Sequence, residues 1–158
     1  MPSLEEDVRK SVNTFYDALE LLLLNKGLDA MSDAWHHTDT ATTIHPFGHW
    51  AHGWDEVWAT WQEIAAVYSF YHGHEQRKDA IGGIHDLHIS VMGDVACASS
   101  LYKSRIYLPE GDALLSVNCT NIAQRINGVW KVVHHHPDQA TPEFQAAMAR
   151  LVESGQRG

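Results

Sequence analysis

Cysteine is scarce in this 158-residue chain: Cys97 and Cys119 are the only two, and neither sits in a CxxC or CxxH spacing. That removes a disulfide framework and a cysteine-based zinc site, and leaves two small buried thiols as the expectation. Basic residues are few as well, eleven Lys plus Arg against twenty Asp plus Glu, for a formal charge of −9. They fall singly or in pairs, so no stripe exists that could neutralise a phosphate backbone, and no nucleic-acid partner is expected. Long apolar runs are missing too. The longest, residues 18–24, is broken by Glu20 and is far too short to span a bilayer, and the opening MPSLEEDVRK is charged where a signal peptide needs an apolar stretch. The expectation is a reduced, cytoplasmic protein with no membrane partner. Repeats, linkers and low-complexity tracts are absent, which fits one domain over residues 1–158, with a core over about 8–138 and a C-terminal helix over about 142–153.

What the chain has in excess is histidine. There are twelve, more than all Lys and Arg together, so full protonation would carry the formal charge from −9 to +3. Imidazole titrates near pH ~6.5, which makes the charge of this protein unusually sensitive to mild acid. Hydrophobic residues at 44% and charged residues at 20% are ample for a packed core.

Ser3 followed by Glu6 forms a capping box, and Leu4, Val8, Phe15, Leu19 and Leu22 then recur at helical spacing until Lys26-Gly27 closes the helix. Leu21, Leu23 and Leu24 widen its stripe, so that end is expected to be buried on more than one side or to face a partner subunit. Residues 28–35 read as a short second helix with Met31 and Trp35 inward. Residues 40–52, with Pro46 and Gly48 at their centre, suit two short strands around a turn. Trp54, Val57, Trp58, Trp61, Ile64, Ala65 and Tyr68 make an amphipathic third helix. Beyond it the period changes to two, with turns at Gly82-Gly83, Gly93-Asp94, Pro109-Glu110-Gly111 and Asn127-Gly128 bounding strands over 85–92, 95–108, 113–126 and 129–136. Thr141-Pro142-Glu143 opens a last helix carrying Phe144, Met148, Leu151 and Val152, which is expected to end before Gly155. Helices followed by a long curved antiparallel sheet predict an α+β domain with two or three N-terminal helices covering one face.

The helix start Gly53-Trp54-Asp55-Glu56-Val57, the turn Gly93-Asp94-Val95-Ala96 and the closing segment Asn127-Gly128-Val129-Trp130-Lys131-Val132-Val133-His134-His135-His136 give the chain its family likeness. Over roughly residues 8–138 it resembles the nuclear transport factor 2-like superfamily, also called SnoaL-like or ketosteroid-isomerase-like. Within it the likeness is to the subgroup that includes the association domain of calcium/calmodulin-dependent kinase. The resemblance implies a cone-shaped cystatin-like α+β roll, a deep pocket between the concave sheet and the helices, and frequent dimers through the outer face of the sheet. Members include isomerases, dehydratases, cyclases, hydrolases and non-catalytic assembly modules, so the fold does not select a reaction. In this subgroup the penultimate strand often carries Arg-x-Thr. The matching positions here are Asn118 and Thr120, and loss of that Arg argues against a carboxylate or phosphate ligand.

Strict alternation along the last strand puts Trp130, Val132, His134 and His136 on one face. If that face lines the cone, His134 or His136 can act as a general base, oriented by Tyr16, Asp39 or a second histidine. A second group, His45, His49 and His52, lies on the hairpin, with His36, His37 and Asp39 just upstream. With His134 and His136 it could form a histidine-rich site for Zn, Fe or Cu, although no local motif such as HExxH is present. A third group comprises His72 and His74, then His85 and His88 near Asp86. His85 and His88 fall on opposite faces of an unbroken strand, and most of this group reads as solvated. Trp58, Trp61 and Phe47, with Asn118 and Thr120, are the expected ligand-contacting residues, and a pocket lined by Trp, Tyr, Phe and His suits a neutral aromatic or polycyclic compound. Three readings follow. One is a small-molecule-binding protein with lyase or isomerase chemistry on a hydrophobic carbonyl or polyketide-like compound. The others are a histidine-ligated metal enzyme and a non-catalytic assembly module; a homodimer is expected in each case.

Overall fold

A computed structural model describes residues 2–24, 26–48, 50–69, 83–108 and 111–157, and within these it leaves out the side chains of residues 68, 69, 106–108, 111, 112, 151 and 154–157. His49, His72 and His74, the Pro109-Glu110-Gly111 turn, and the side chains of Tyr68 and Leu151 therefore lie outside the described residues. The elements in order are α1 (Leu4–Leu23), α2 (Leu28–Asp33), β1 (Thr42–Ile44), β2 (Trp50–His52), α3 (Trp54–Ser69), β3 (Gly83–Met92), β4 (Val95–Leu108), β5 (Gly111–Ile126), β6 (Val129–Pro137) and α4 (Pro142–Arg157). The strands form one six-stranded sheet in the order β2-β1-β6-β5-β4-β3. All neighbours are antiparallel except β1 and β6, which run parallel because α3 and the β3–β5 meander intervene between them. The α+β architecture agrees with the expectation, and the parallel β1–β6 pair is an addition to it.

Helix α1 begins where the capping box predicts. The Ser3 amide donates to Glu6 Oε2 at 2.8 Å, and the Glu6 amide donates to Ser3 Oγ at 3.2 Å. It ends earlier than the Lys26-Gly27 signal suggests, because the amides of Leu24 and Lys26 both turn back onto the Leu21 carbonyl. Gly27 instead starts α2, with φ at +71° and its carbonyl accepting from the Met31 amide. Val8, Val12, Phe15, Leu19 and Leu22 form the buried stripe of α1, and Trp35, Trp61 and Val132 complete the centre of the core around it. Helix α4 runs through Gly155 rather than stopping before it. Cys119 is buried, whereas Cys97 is only half-buried, since the two occupy opposite faces of the sheet.

Two register shifts decide which side chains the concave face receives. On β6, Val132 pairs with Ala123 and His134 pairs with Ile122, so Val133 is an extra residue opposite a single step of β5. On β3, His85 pairs with Leu101 and His88 pairs with Ser99, so Asp86 and Leu87 together oppose one residue, and Asp86 takes φ +54°. A bulge of this kind reverses the inward and outward phase of every residue beyond it.

Gly27 meets two demands at once. A Cβ there would stand 2.6 Å from Leu21 Cβ, and the left-handed backbone is itself unfavourable for side-chain-bearing residues. Gly27→Ala is expected to cost about 1 to 3 kcal/mol of folding stability, read from the urea midpoint. An unchanged midpoint would show that the α1–α2 junction does not depend on this glycine.

Candidate functional site

Beyond the β6 bulge, His135 and Pro137 turn inward and His134 and His136 turn outward. His135 is 4% exposed, and its ring lies 4.7 Å from that of Phe15, 6.0 Å from Trp61 and 6.2 Å from Tyr16. Its Nδ1 donates to Asn121 Oδ1 at 2.8 Å. The same oxygen accepts from the Tyr16 hydroxyl at 3.2 Å, and Ser100 Oγ donates to the Tyr16 oxygen at 3.4 Å. Because an amide oxygen only accepts, His135 carries its proton on Nδ1 and keeps Nε2 as the acceptor. Tyr16 stacks on Tyr102, whose hydroxyl donates to Glu20 at 2.9 Å.

Of these groups His135 and Tyr102 border a mainly apolar cavity of about 60 Å³ between the sheet and the helices, with His45, Trp61, Cys119 and Phe144 also in its wall. His45 is buried by the same alternation that buries Ala41 and Thr43 on and beside β1. It shares a 2.7 Å hydrogen bond with Thr60 Oγ1 on α3 and meets Trp61 edge-on at 4.7 Å. Trp61 is 1% exposed and its Nε1 has no acceptor among the described residues, and Asn121 Nδ2 is likewise buried without one among them. Buried N–H groups without acceptors are costly and uncommon.

Burial, reinforced by His45, His134 and His136, holds His135 well below the usual imidazole range, so it is neutral at pH 7. Burial, and after it the neighbouring Cys119 sulfur, push the Tyr16 hydroxyl above the usual phenol range, so it stays protonated. The Cys119 thiol is pushed up to about 11, chiefly by burial, so it is a thiol rather than a nucleophilic thiolate at neutral pH. His134 is lowered by burial and then by His136, with Thr42 opposing.

The residues singled out from the sequence separate into three sets. Tyr16, Trp61, Phe47 and His45 reach the cavity or the network beside it. His134 and His136 do not, because the bulge places them on the outer face, where Thr42 Oγ1 lies 2.7 Å from His134 Nδ1. Asn118 and Thr120 share that outer face, one bound to Asp138 and the other opposite His136. Trp58 stacks on Trp54 at 5.5 Å, away from the cavity wall, and Asp39 is exposed in the loop before β1. Of the expected metal set, His49 lies outside the described residues, and of the others His45 faces inward while His52, His134 and His136 face outward. Among the described residues no three His, Cys, Asp or Glu side chains come together as a metal-ligand group. His85 and His88 share the outer face, since the β3 bulge cancels the alternation that would separate them. His135 and Asn121 were missed. Asn121 was accessible through the inward phase Leu115, Val117, Cys119, Asn121, Ala123 of β5, but the bulge that turns His135 has no local sequence mark.

The profile of the SnoaL-like domain family matches residues 10–139. A candidate dehydratase of the NTF2-like family from Streptomyces avermitilis has a similar structure, with TM-score 0.64 and 19% identity over 85% of this chain and 95% of that one. A candidate calcium/calmodulin-dependent protein kinase type II association domain from Thiobacillus denitrificans gives TM-score 0.62 and 21% identity over 89% and 98%. F-box protein SKIP8 of Arabidopsis thaliana is 26% identical over 126 residues, 80% of this chain. The chain spans 47% of that curated relative's length. Among the described residues, no helix is long and apolar enough to cross a membrane.

The folded protein refuses protons on His135 and His134 that the unfolded chain accepts near pH ~6.5. Their stabilising contribution is complete above that value and is lost as the pH falls below it. The melting temperature is expected to drop between about pH 7.5 and about pH 5.5, and His135→Gln, which keeps a donor but cannot titrate, should flatten the profile. An identical slope in the variant would remove His135 as its source.

Proposed function

The chain belongs to the SnoaL-like domain family, and from that premise we propose a small-molecule-binding protein whose cavity takes a neutral, apolar carbonyl compound, with His135 as the proton-transferring base. The observation that carries this is the buried neutral imidazole at the wall of an apolar cavity, with Nδ1 held by Asn121 and Nε2 left as acceptor. An imidazole so oriented can remove a proton from the carbon next to a carbonyl. The C–H bond breaks, its electron pair moves into the carbonyl to give an enolate oxygen, and the proton stays on Nε2 for return to the same or a neighbouring carbon. Trp61 Nε1–H, which has no acceptor among the described residues, supplies a donor for that oxygen. Asn121 and Tyr16 are positioning residues: they fix the tautomer and plane of His135. Net proton return at a new carbon is isomerisation, and loss of a leaving group from the enolate is lyase chemistry.

Solvent deuterium incorporation next to the carbonyl of a hydrophobic methyl ketone tests the base. His135→Ala is expected to lower the rate by about 10²- to 10⁴-fold, while His136→Ala stays near wild type. Equal loss in both variants, or none in His135→Ala, would overturn the assignment.

The outer face of the sheet supports a second reading, in which two copies associate through it. It carries His52, His85, His88, His134 and His136 with Thr42, Ser99 and Thr120 between them, and Leu114 is 47% exposed on the same face. The similar association domain adds weight to assembly through this fold. Thr120→Glu with Ser99→Glu is expected to weaken dimerisation at least about tenfold by sedimentation equilibrium, since facing like charges repel. A dimer of undiminished strength would place the contact elsewhere.

A further inference from the structure

A second chamber of about 370 Å³ lies between α3 and α4, lined by Thr60, Glu63, Val67, Met148, Ala149 and Val152 among others. It is separated from the inner cavity by three side chains that belong to the walls of both, His45, Phe47 and Ile64. Phe47 stacks on Phe144 of α4 at 6.1 Å, and Phe144 closes the inner cavity from the helix side. Phe47 itself sits on the short loop between β1 and β2, immediately before Gly48, which has φ +88°. That loop is tied to the start of α4 by the Ala140 amide donating to the Pro46 carbonyl.

The volumes make the relation between the two chambers matter. At about 60 Å³ the inner cavity is well below the roughly 150 Å³ that receives a benzene ring in a buried apolar site. It admits a carbonyl and a few carbons, no more. Sites for larger organic ligands run from about 300 Å³ upward, which of these two chambers the outer one reaches. Its lining is apolar along Val67, Met148, Ala149 and Val152, and among the described residues its one charged wall residue is Glu63, which disfavours an anionic end group there.

We infer that the two chambers form one site for an elongated, neutral ligand, whose carbonyl head sits beside His135 and Trp61 while an apolar tail passes the His45–Phe47–Ile64 partition into the space under α4. This rests on the reading of the inner cavity given above, and it adds the class of substrate: an unbranched or narrow chain rather than a compact polycycle. Phe47 is the side chain that must turn aside, and His45, common to both walls, is the polar group the chain passes.

A homologous series of methyl ketones from 2-butanone to 2-undecanone, titrated into the protein and followed by calorimetry, separates the two ideas. In the wild type the dissociation constant is expected to fall about fourfold per added methylene (about 0.8 kcal/mol each) well beyond 2-pentanone. Val67→Trp and, independently, Ala149→Trp fill the outer chamber without touching the inner wall. Each should halt the gain near 2-pentanone while leaving 2-butanone binding unchanged. Ala149 is exposed on α4, so its variant tests the idea even if Val67→Trp fails to fold. Short ketones that bind with no gain for longer ones would overturn the two-chamber site and leave the inner-cavity reading intact. A gain that persists in both variants would also overturn it. Binding of no ketone at any length would overturn both.

Discussion

One extra residue on the last strand decides which imidazoles the concave face of the sheet receives. With Val133 bulged out against β5, the strand enters the core carrying Trp130 and Val132 and leaves it carrying His135 and Pro137. Without the bulge, His134 and His136 would occupy the concave face, and Asn121 and Tyr16 would lack their imidazole partner. The bulge also frees the outer face to collect histidines, and a similar irregularity on β3 adds His85 to His88 there. Two local shifts in pairing thus sort the imidazoles between a dry interior and an open surface.

Burying an imidazole is unfavourable unless its N–H is satisfied and its charge is absent. Both conditions are met here. The chain of donors from Ser100 through Tyr16 to Asn121 converges with His135 on one amide oxygen, and surrounding aromatic rings exclude water and keep the ring neutral. The network therefore specifies one tautomer in one orientation. Against it stand the unpartnered N–H groups of Trp61 and Asn121, which lower stability and which a bound acceptor could relieve. Of the two, Trp61 also lines the apolar cavity, while Trp35 and Trp130 carry buried indole N–H groups in the same condition elsewhere in the core.

Much of the architecture could be read from local pattern. The capping box located the start of α1, the Asn127-Gly128 turn located the β5–β6 hairpin, and the inward Trp61 followed from helical spacing. Turn chemistry and apolar periodicity act over a few residues and survive into the fold unchanged. The site was less legible. Tyr16 and Trp61 could be nominated from the helical spacing of α1 and α3, and Phe47 and His45 from the hairpin expected at the edge of the pocket. His135 could not be, because a bulge depends on how β6 docks on β5 and leaves no composition or turn signal behind. The same bulge turns His134 and His136 to the outer face, away from His45, with which they were expected to share a metal site.

The amino-acid sequence by itself determined the α+β class, the order of the elements and the abundance of histidine, since these follow from periodicity and counting. Tertiary structure decided which histidine is the interior one. That choice is a matter of strand register, where a shift of one residue reverses every side chain beyond it, and register is set by the packing of neighbouring strands rather than by any single segment. The excess of imidazole is thereby resolved into one buried ring with a defined tautomer, a second at the partition between two chambers, and an outward array on the opposite face of the sheet.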